Sequence, residues 1–167
     1  MKFLAADPER VHLVNQTTGE DKVVLINPEA FSLALEVRYT RIQPPGLSHE
    51  VLQYQGTGNR KISNIAFMLD RFIAEAQPDA PDIQDFERFV MALTVPPGGT
   101  SGARDTRPPR AMVIWPGVLT MECVLTGVEF TYTDFSVDGG LLAYTASCSF
   151  EEILDERRTS EQYRRGL

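Results

Sequence analysis

The stretch that decides the fold is Val118–Phe135 (VLTMECVLTGVEFTYTDF), then Ser136–Gly140 (SVDGG), then Leu141–Leu154 (LLAYTASCSFEEIL). Both flanks are dense in β-branched and aromatic residues, which suit a pleated, half-buried surface. Asp138-Gly139-Gly140 between them is a hairpin signal, because tight hairpin turns need positive φ angles that Gly and Asp tolerate. Arms of roughly 14 residues would span about 45 Å, against a usual strand of about 5–6 residues. One small domain cannot cover a hairpin of that length. It predicts a part built to assemble with copies of itself.

The faces of this hairpin differ. Thr145, Ser147 and Ser149 alternate with Tyr144, Ala146, Cys148 and Phe150, while Thr131 and Thr133 alternate with Phe130 and Tyr132. One face is apolar and packs on a helix or second sheet; the other is smooth and hydroxyl-rich. The hydroxyl face reads either as the solvent side of an antiparallel sheet or as the wall of a water-filled channel closed by several subunits. Cys123 and Cys148 fall on the two arms, and pairing about the turn places Cys148 opposite roughly Phe130. They read as buried thiols, as in a reducing compartment.

Outward from the hairpin, Glu9–Asn15 and Lys22–Ile26 read as short strands around a polar turn, and Asn27-Pro28 breaks the second. Ala34–Ile42 alternates with period 2 and reads as a half-buried strand, ended by Pro44-Pro45-Gly46. Gln53–Asn59 reads as a loop or a bulged strand entry, and Lys61–Asp70 as a strand with Ile65, Phe67 and Leu69 on one face. Ile83, Phe86, Phe89, Val90 and Leu93 form one apolar stripe of a helix capped by Asp79 or Asp82. Ala111–Trp115 is an apolar run ending in Trp115-Pro116-Gly117. The expected class is α+β, mainly β: two packed antiparallel sheets, as a barrel or sandwich, with one helix and a long hairpin. The chain divides into a single β domain over 1–154 and a charged extension over 155–167.

Composition excludes several functions. The net charge of −7 is evenly spread, with 9 basic and 13 acidic residues in Met1–Gly99 and 7 and 10 in Thr100–Leu167. Phosphate binding needs a basic surface, so nucleic acid is not an expected partner. No run approaches the ~20 apolar residues of a membrane span, and the N-terminal apolar run is too short for a signal peptide. The chain reads as made and folded in the cytoplasm. His12 and His49 are far apart and neither pairs locally with a nucleophile, so no metal, cofactor or catalytic residue is expected. Gly56-Thr57-Gly58-Asn59-Arg60-Lys61 lacks the Gly-Lys-Ser/Thr ending and helix of a phosphate-binding loop.

Pro96–Pro109 is the one long irregular segment. Arg104, Arg107 and Arg110, and in the tail Arg157 and Arg158, read either as solvated surface or as arms docking on acidic residues of a neighbouring subunit.

Read in order, Val23-Val24-Leu25-Ile26-Asn27-Pro28-Glu29-Ala30-Phe31, Pro108-Pro109, Trp115-Pro116-Gly117, Cys123-Val124-Leu125-Thr126-Gly127-Val128, Tyr132-Thr133-Asp134-Phe135, Asp138-Gly139 and the closing Ser149-Phe150-Glu151 resemble the tube-domain proteins of contractile, phage-tail-like injection systems. The resemblance runs from about Val23 to Leu154. It implies a structural, non-enzymatic subunit of the baseplate and tube-adaptor kind, with six copies forming a ring whose inner β-barrel lines the tube. The implied partners are further copies of the chain, the tube protein and the baseplate or spike hub. The implied setting is the bacterial cytoplasm during assembly, then a particle that is released or membrane-attached, without direct membrane insertion. Many relatives carry a LysM domain after the tube domain; a chain ending at Leu167 is expected to be a member without one, or a subunit at the cap end of the tube. The rival expectation is a monomeric β-barrel that binds a small ligand or hydrolyses one.

Overall fold

The computed structural model of the chain describes residues 9–98, 107–156 and 158–166. Nine strands and three helices follow in the order β1 (His12–Asn15), β2 (Asp21–Val23), β3 (Ser32–Ala34), β4 (Val37–Ile42), β5 (Val51–Thr57), β6 (Lys61–Asp70), α1 (Arg71–Ala76), α2 (Ile83–Ala92), β7 (Ala111–Trp115), β8 (Leu119–Phe135), β9 (Leu141–Glu152) and α3 (Ser160–Arg164). They build two antiparallel sheets. Seven strands run in the order β2-β1-β7-β8-β9-β6-β3, and β4 and β5 form a separate pair. The seven-stranded sheet stays open, so the sandwich alternative holds and a barrel closed within one chain does not.

The long hairpin is present as read. β8 is 17 residues and β9 is 12. Their link is a five-residue connection, Ser136–Gly140, in which the Gly139 amide donates to the Ser136 carbonyl (2.9 Å) and the Ser136 amide to the Gly140 carbonyl (2.7 Å). Gly139 takes φ +82°, a left-handed conformation that side chains disfavour. The longer connection and a bulge at Tyr132/Asp134 reset the register. Cys148 therefore faces Val128, and Phe130 faces Ala146. A second bulge at Leu125/Gly127 lies within the β8–β9 ladder, just past Cys123, where the pairing of β7 with Leu119–Cys123 ends.

The core lies on one face of the large sheet. Ile65, Phe67 and Leu69 of β6 sit beside Tyr144, Ala146 and Cys148 of β9, and all six are buried. Helix α2 covers them with Ile83, Phe86, Phe89 and Val90. Phe67 meets Phe86 edge to face, with centroids 6.2 Å apart. Each such fully buried side chain contributes about 1.5–3 kcal/mol. Asp82 is the cap, its carboxylate accepting from the Gln84 and Asp85 amides at 2.9 and 3.1 Å. Tyr144 donates from its buried hydroxyl to the Ile83 carbonyl, which fixes the helix start to β9.

Three readings change in detail and one is decided. Ala34–Ile42 is not one strand: its first residue ends β3 on β6, and Val37–Ile42 leaves the sheet to pair with β5. That segment is also not half-buried, for all six residues of β4 are exposed. For Gln53–Asn59 the bulged-strand alternative holds over the loop: it is mostly strand, with a register shift opposite Arg38/Tyr39. Helices α1 and α3 join the expected one; at five or six residues they are too short to show a stripe, and their caps, Asp70 and Thr159, define them instead.

Candidate assembly surfaces

No cluster of three or more His, Cys, Asp or Glu that could hold a metal ion occurs among the described residues. Cys123 and Cys148 are buried, and burial pushes both thiols up to about 12, where they are poor nucleophiles. The features left to interpret are surfaces.

The first is the hydroxyl face. Thr131 stands directly across from Thr145, Glu129 from Ser147 and Gly127 from Ser149, all opposite to the face that carries Val128, Phe130 and Tyr132. Thr133 occupies the bulge, and its hydroxyl donates to the Ala143 carbonyl at 3.3 Å. Thr131 and Thr133 are exposed, while Thr145, Ser147 and Ser149 are half-buried by their neighbours. A third strand extends the surface, because Ala66 pairs with Ser147 and Met68 with Thr145. Asn64, at φ 53° in the β6 bulge, donates its amide to the Ser149 hydroxyl at 3.1 Å. Sequence reading placed the two hairpin arms on this face and missed β6, whose Asn64-Ala66-Met68 side carries no distinctive residue type.

The second surface is the β4–β5 hairpin. Val37, Tyr39, Ile42, Val51, Leu52 and Tyr54 are each 43–56% exposed. Tyr39 and Tyr54 meet edge to face at 5.8 Å, and Arg41 pairs with Glu50 at 3.0 Å. A two-stranded hairpin is marginal alone in water, and this one carries a row of apolar side chains outward.

The third is ionic. Arg110 holds Asp155 through two bonds of 2.8 and 2.9 Å and Glu122 at 3.0 Å. The hydrogen bonds from Arg110, before any other influence, hold the Asp155 carboxyl below its ordinary range. Glu152 is 1% exposed and is clamped by Arg60, which donates Nε at 3.0 Å and Nη2 at 2.5 Å; Arg158 approaches the same carboxylate at 3.2 Å. Burial alone would raise the Glu152 carboxyl, but the bonds and charge of Arg60, with Arg158 behind them, bring it below its ordinary value. Arg158 also lies 5.8 Å from the centre of the Tyr163 ring. Of the expected docking arginines, Arg107 is exposed, Arg110 and Arg158 engage their own chain, and Arg104 and Arg157 lie outside the described residues.

A family model described as contractile injection system tube protein matches residues 9–161. No curated protein matches the chain.

Proposed function

The chain belongs to the contractile injection system tube protein family, and from that premise we propose that it forms a sixfold ring joining the baseplate or spike hub to the inner tube. The family is structural rather than enzymatic, and its members build a tail-like particle from many subunits. No helix among the described residues is long and apolar enough to cross a membrane.

The observation that carries the ring is an open edge. Among the described residues, β7 stops pairing with β8 at Cys123, and no strand lies on that side of Val124–Phe135. Pro108-Pro109 stand one residue before β7 and have no N–H to continue the ladder. A long unpaired edge is an aggregation hazard unless another strand takes it up. Strand directions support the same reading. β3, β6, β9 and β8 alternate, so β3 and β8 run in opposite directions. Rotation about a ring axis preserves those directions. The β3 edge of one copy would thus meet the β8 edge of the next antiparallel, and the Ile65–Asp70 stretch of β6 that β3 leaves uncovered would meet it parallel, a head-to-tail contact repeated around the ring.

In such a ring Thr131, Thr133, Thr145, Ser147 and Ser149 would face the lumen, where small uncharged side chains give cargo little to hold. Arg104, Arg107, Arg110, Arg157 and Arg158 would set register with acidic groups of adjoining copies. The exposed β4–β5 hairpin supplies apolar surface for packing between copies. Electron microscopy of the purified chain and of intact particles tests the reading. Rings with sixfold averages are expected; a chain that stays monomeric at high concentration and is missing from particles would overturn it.

A further inference from the structure

Asp138-Gly139 is the one step in the chain at which an Asp or Asn precedes a Gly. That step carries its own slow chemistry, which needs no enzyme. The Gly139 backbone nitrogen can attack Cγ of the protonated Asp138 carboxyl. A C–N bond forms, the carboxyl hydroxyl and the nitrogen's proton leave together as water, and a cyclic imide closes. Water then reopens the ring at either of its carbonyls. Opening at Cγ restores Asp138; opening at the Asp138 backbone carbonyl leaves the chain running through Cβ and Cγ, as isoaspartate. Atoms balance over the two steps, the water lost in the first being regained in the second. Glycine favours the attack because no Cβ shields its nitrogen. The space where a Cβ would stand on Gly139 is open. Asp138 is exposed and holds no hydrogen-bond or ion-pair partner among the described residues.

The fold opposes this chemistry at the same turn. The Gly139 amide donates to the Ser136 carbonyl at 2.9 Å, the Ser136 amide to the Gly140 carbonyl at 2.7 Å, and the Gly140 amide to Ser136 Oγ at 2.9 Å. Ser136 takes part in all three bonds. An imide nitrogen carries no proton, so ring closure must give up the bond from Gly139 to Ser136. Isoaspartate then adds a methylene to the backbone inside this small closed loop, where Ser136 Oγ already stands 3.0 Å from the Cβ position of Gly140. We propose that Asp138 is the chain's site of spontaneous isomerisation to isoaspartate, and that Ser136 restrains it in the folded hairpin by holding the turn nitrogens. The modification is slow in the native chain and released by any opening of the turn. Isoaspartate at 138 therefore records how long the hairpin tip has stood open. The proposal concerns the single chain and does not depend on ring formation.

Ageing of the full chain at neutral pH, folded and in urea, tests it. Isoaspartate is located by digestion, chromatography and electron-transfer fragmentation of the peptides. In urea it should collect at Asp138 ahead of every other Asp. In the folded chain it should form about tenfold more slowly, the scale of one intact hydrogen bond. Ser136→Ala removes Oγ alone and should bring the folded rate part of the way to the urea rate, with the dichroism of the sheet unchanged. Asp138→Asn passes through the same imide with ammonia leaving in place of water, so its faster reaction reads the same protection as a gain in mass. Adding Ser136→Ala to it should speed that loss of ammonia. Isoaspartate arising first at another Asp would overturn the site. Equal rates folded and in urea, or a Ser136→Ala rate no faster than that of the unaltered chain, would overturn the restraint.

Discussion

Glu152→Gln is the sharpest test of how the end of β9 is held. The side chain is 1% exposed, and the change keeps its shape while deleting its charge. Arg60 loses a two-point carboxylate partner and Arg158 its counter-charge. Breaking a fully buried ion pair costs about 3–5 kcal/mol. Here the arginine side chains retain 17% and 26% of their exposure, so water recovers part of that. A loss of about 2–3 kcal/mol is expected, a large share of a domain's usual 5–15 or so. Urea unfolding followed by the single tryptophan, Trp115, and by far-ultraviolet dichroism would show the midpoint falling by about 1 M at constant slope. The pH dependence gives an independent check. The folded carboxyl titrates below its ordinary value, so its contribution is complete well above the unfolded value of about 4.3. It disappears as pH falls through the lower, folded value. The gap between the two proteins should therefore be widest at neutral pH and close as pH falls below the ordinary carboxyl value. A midpoint that does not move, or a gap that stays constant across that range, would refute the clamp.

Three further outcomes follow from the core. Phe67→Ala should cost about 3–5 kcal/mol in the same urea assay, because it empties the space between β6 and α2. Tyr144→Phe removes the hydroxyl that donates to the Ile83 carbonyl and should cost about 1 kcal/mol, read as a lower thermal midpoint with the fold retained. Both thiols should resist a disulfide reagent at pH near 8 in the folded chain and react at once in denaturant, since burial holds them near 12.

The elements legible in the sequence are those whose signals are local. Asp138-Gly139 marked the turn, and Asp82 followed by Ile83, Phe86, Phe89 and Val90 marked a capped, one-sided helix. The exposed hairpin was not legible, because Leu35, Val37 and Tyr39 alternate in the same way whether their apolar side meets this chain or another. Period 2 reports that a face is to be covered, not by what. The register error at Cys148 had another cause: the turn closes over five residues and the arms carry bulges, which composition does not encode. The clamp around Glu152 was not legible, since its partners Arg60 and Arg158 are brought together by the sheet and not by spacing. The hydroxyl face was half legible, its two adjoining arms visible and its third strand, β6, distant in sequence.

One consequence of β8 concerns force. Its 17 residues, about 55 Å when extended, join β7 over one end and β9 over the other without a break in the chain. A pull along this strand is carried by two ladders of hydrogen bonds placed end to end along it, each loaded in shear. The same pull across a pair of short strands would open its bonds one after another, like a zip. A single continuous strand thus works as a tie-rod through the subunit, stiff along its length and yielding where the bulges at Leu125/Gly127 and Tyr132/Asp134 let it bend.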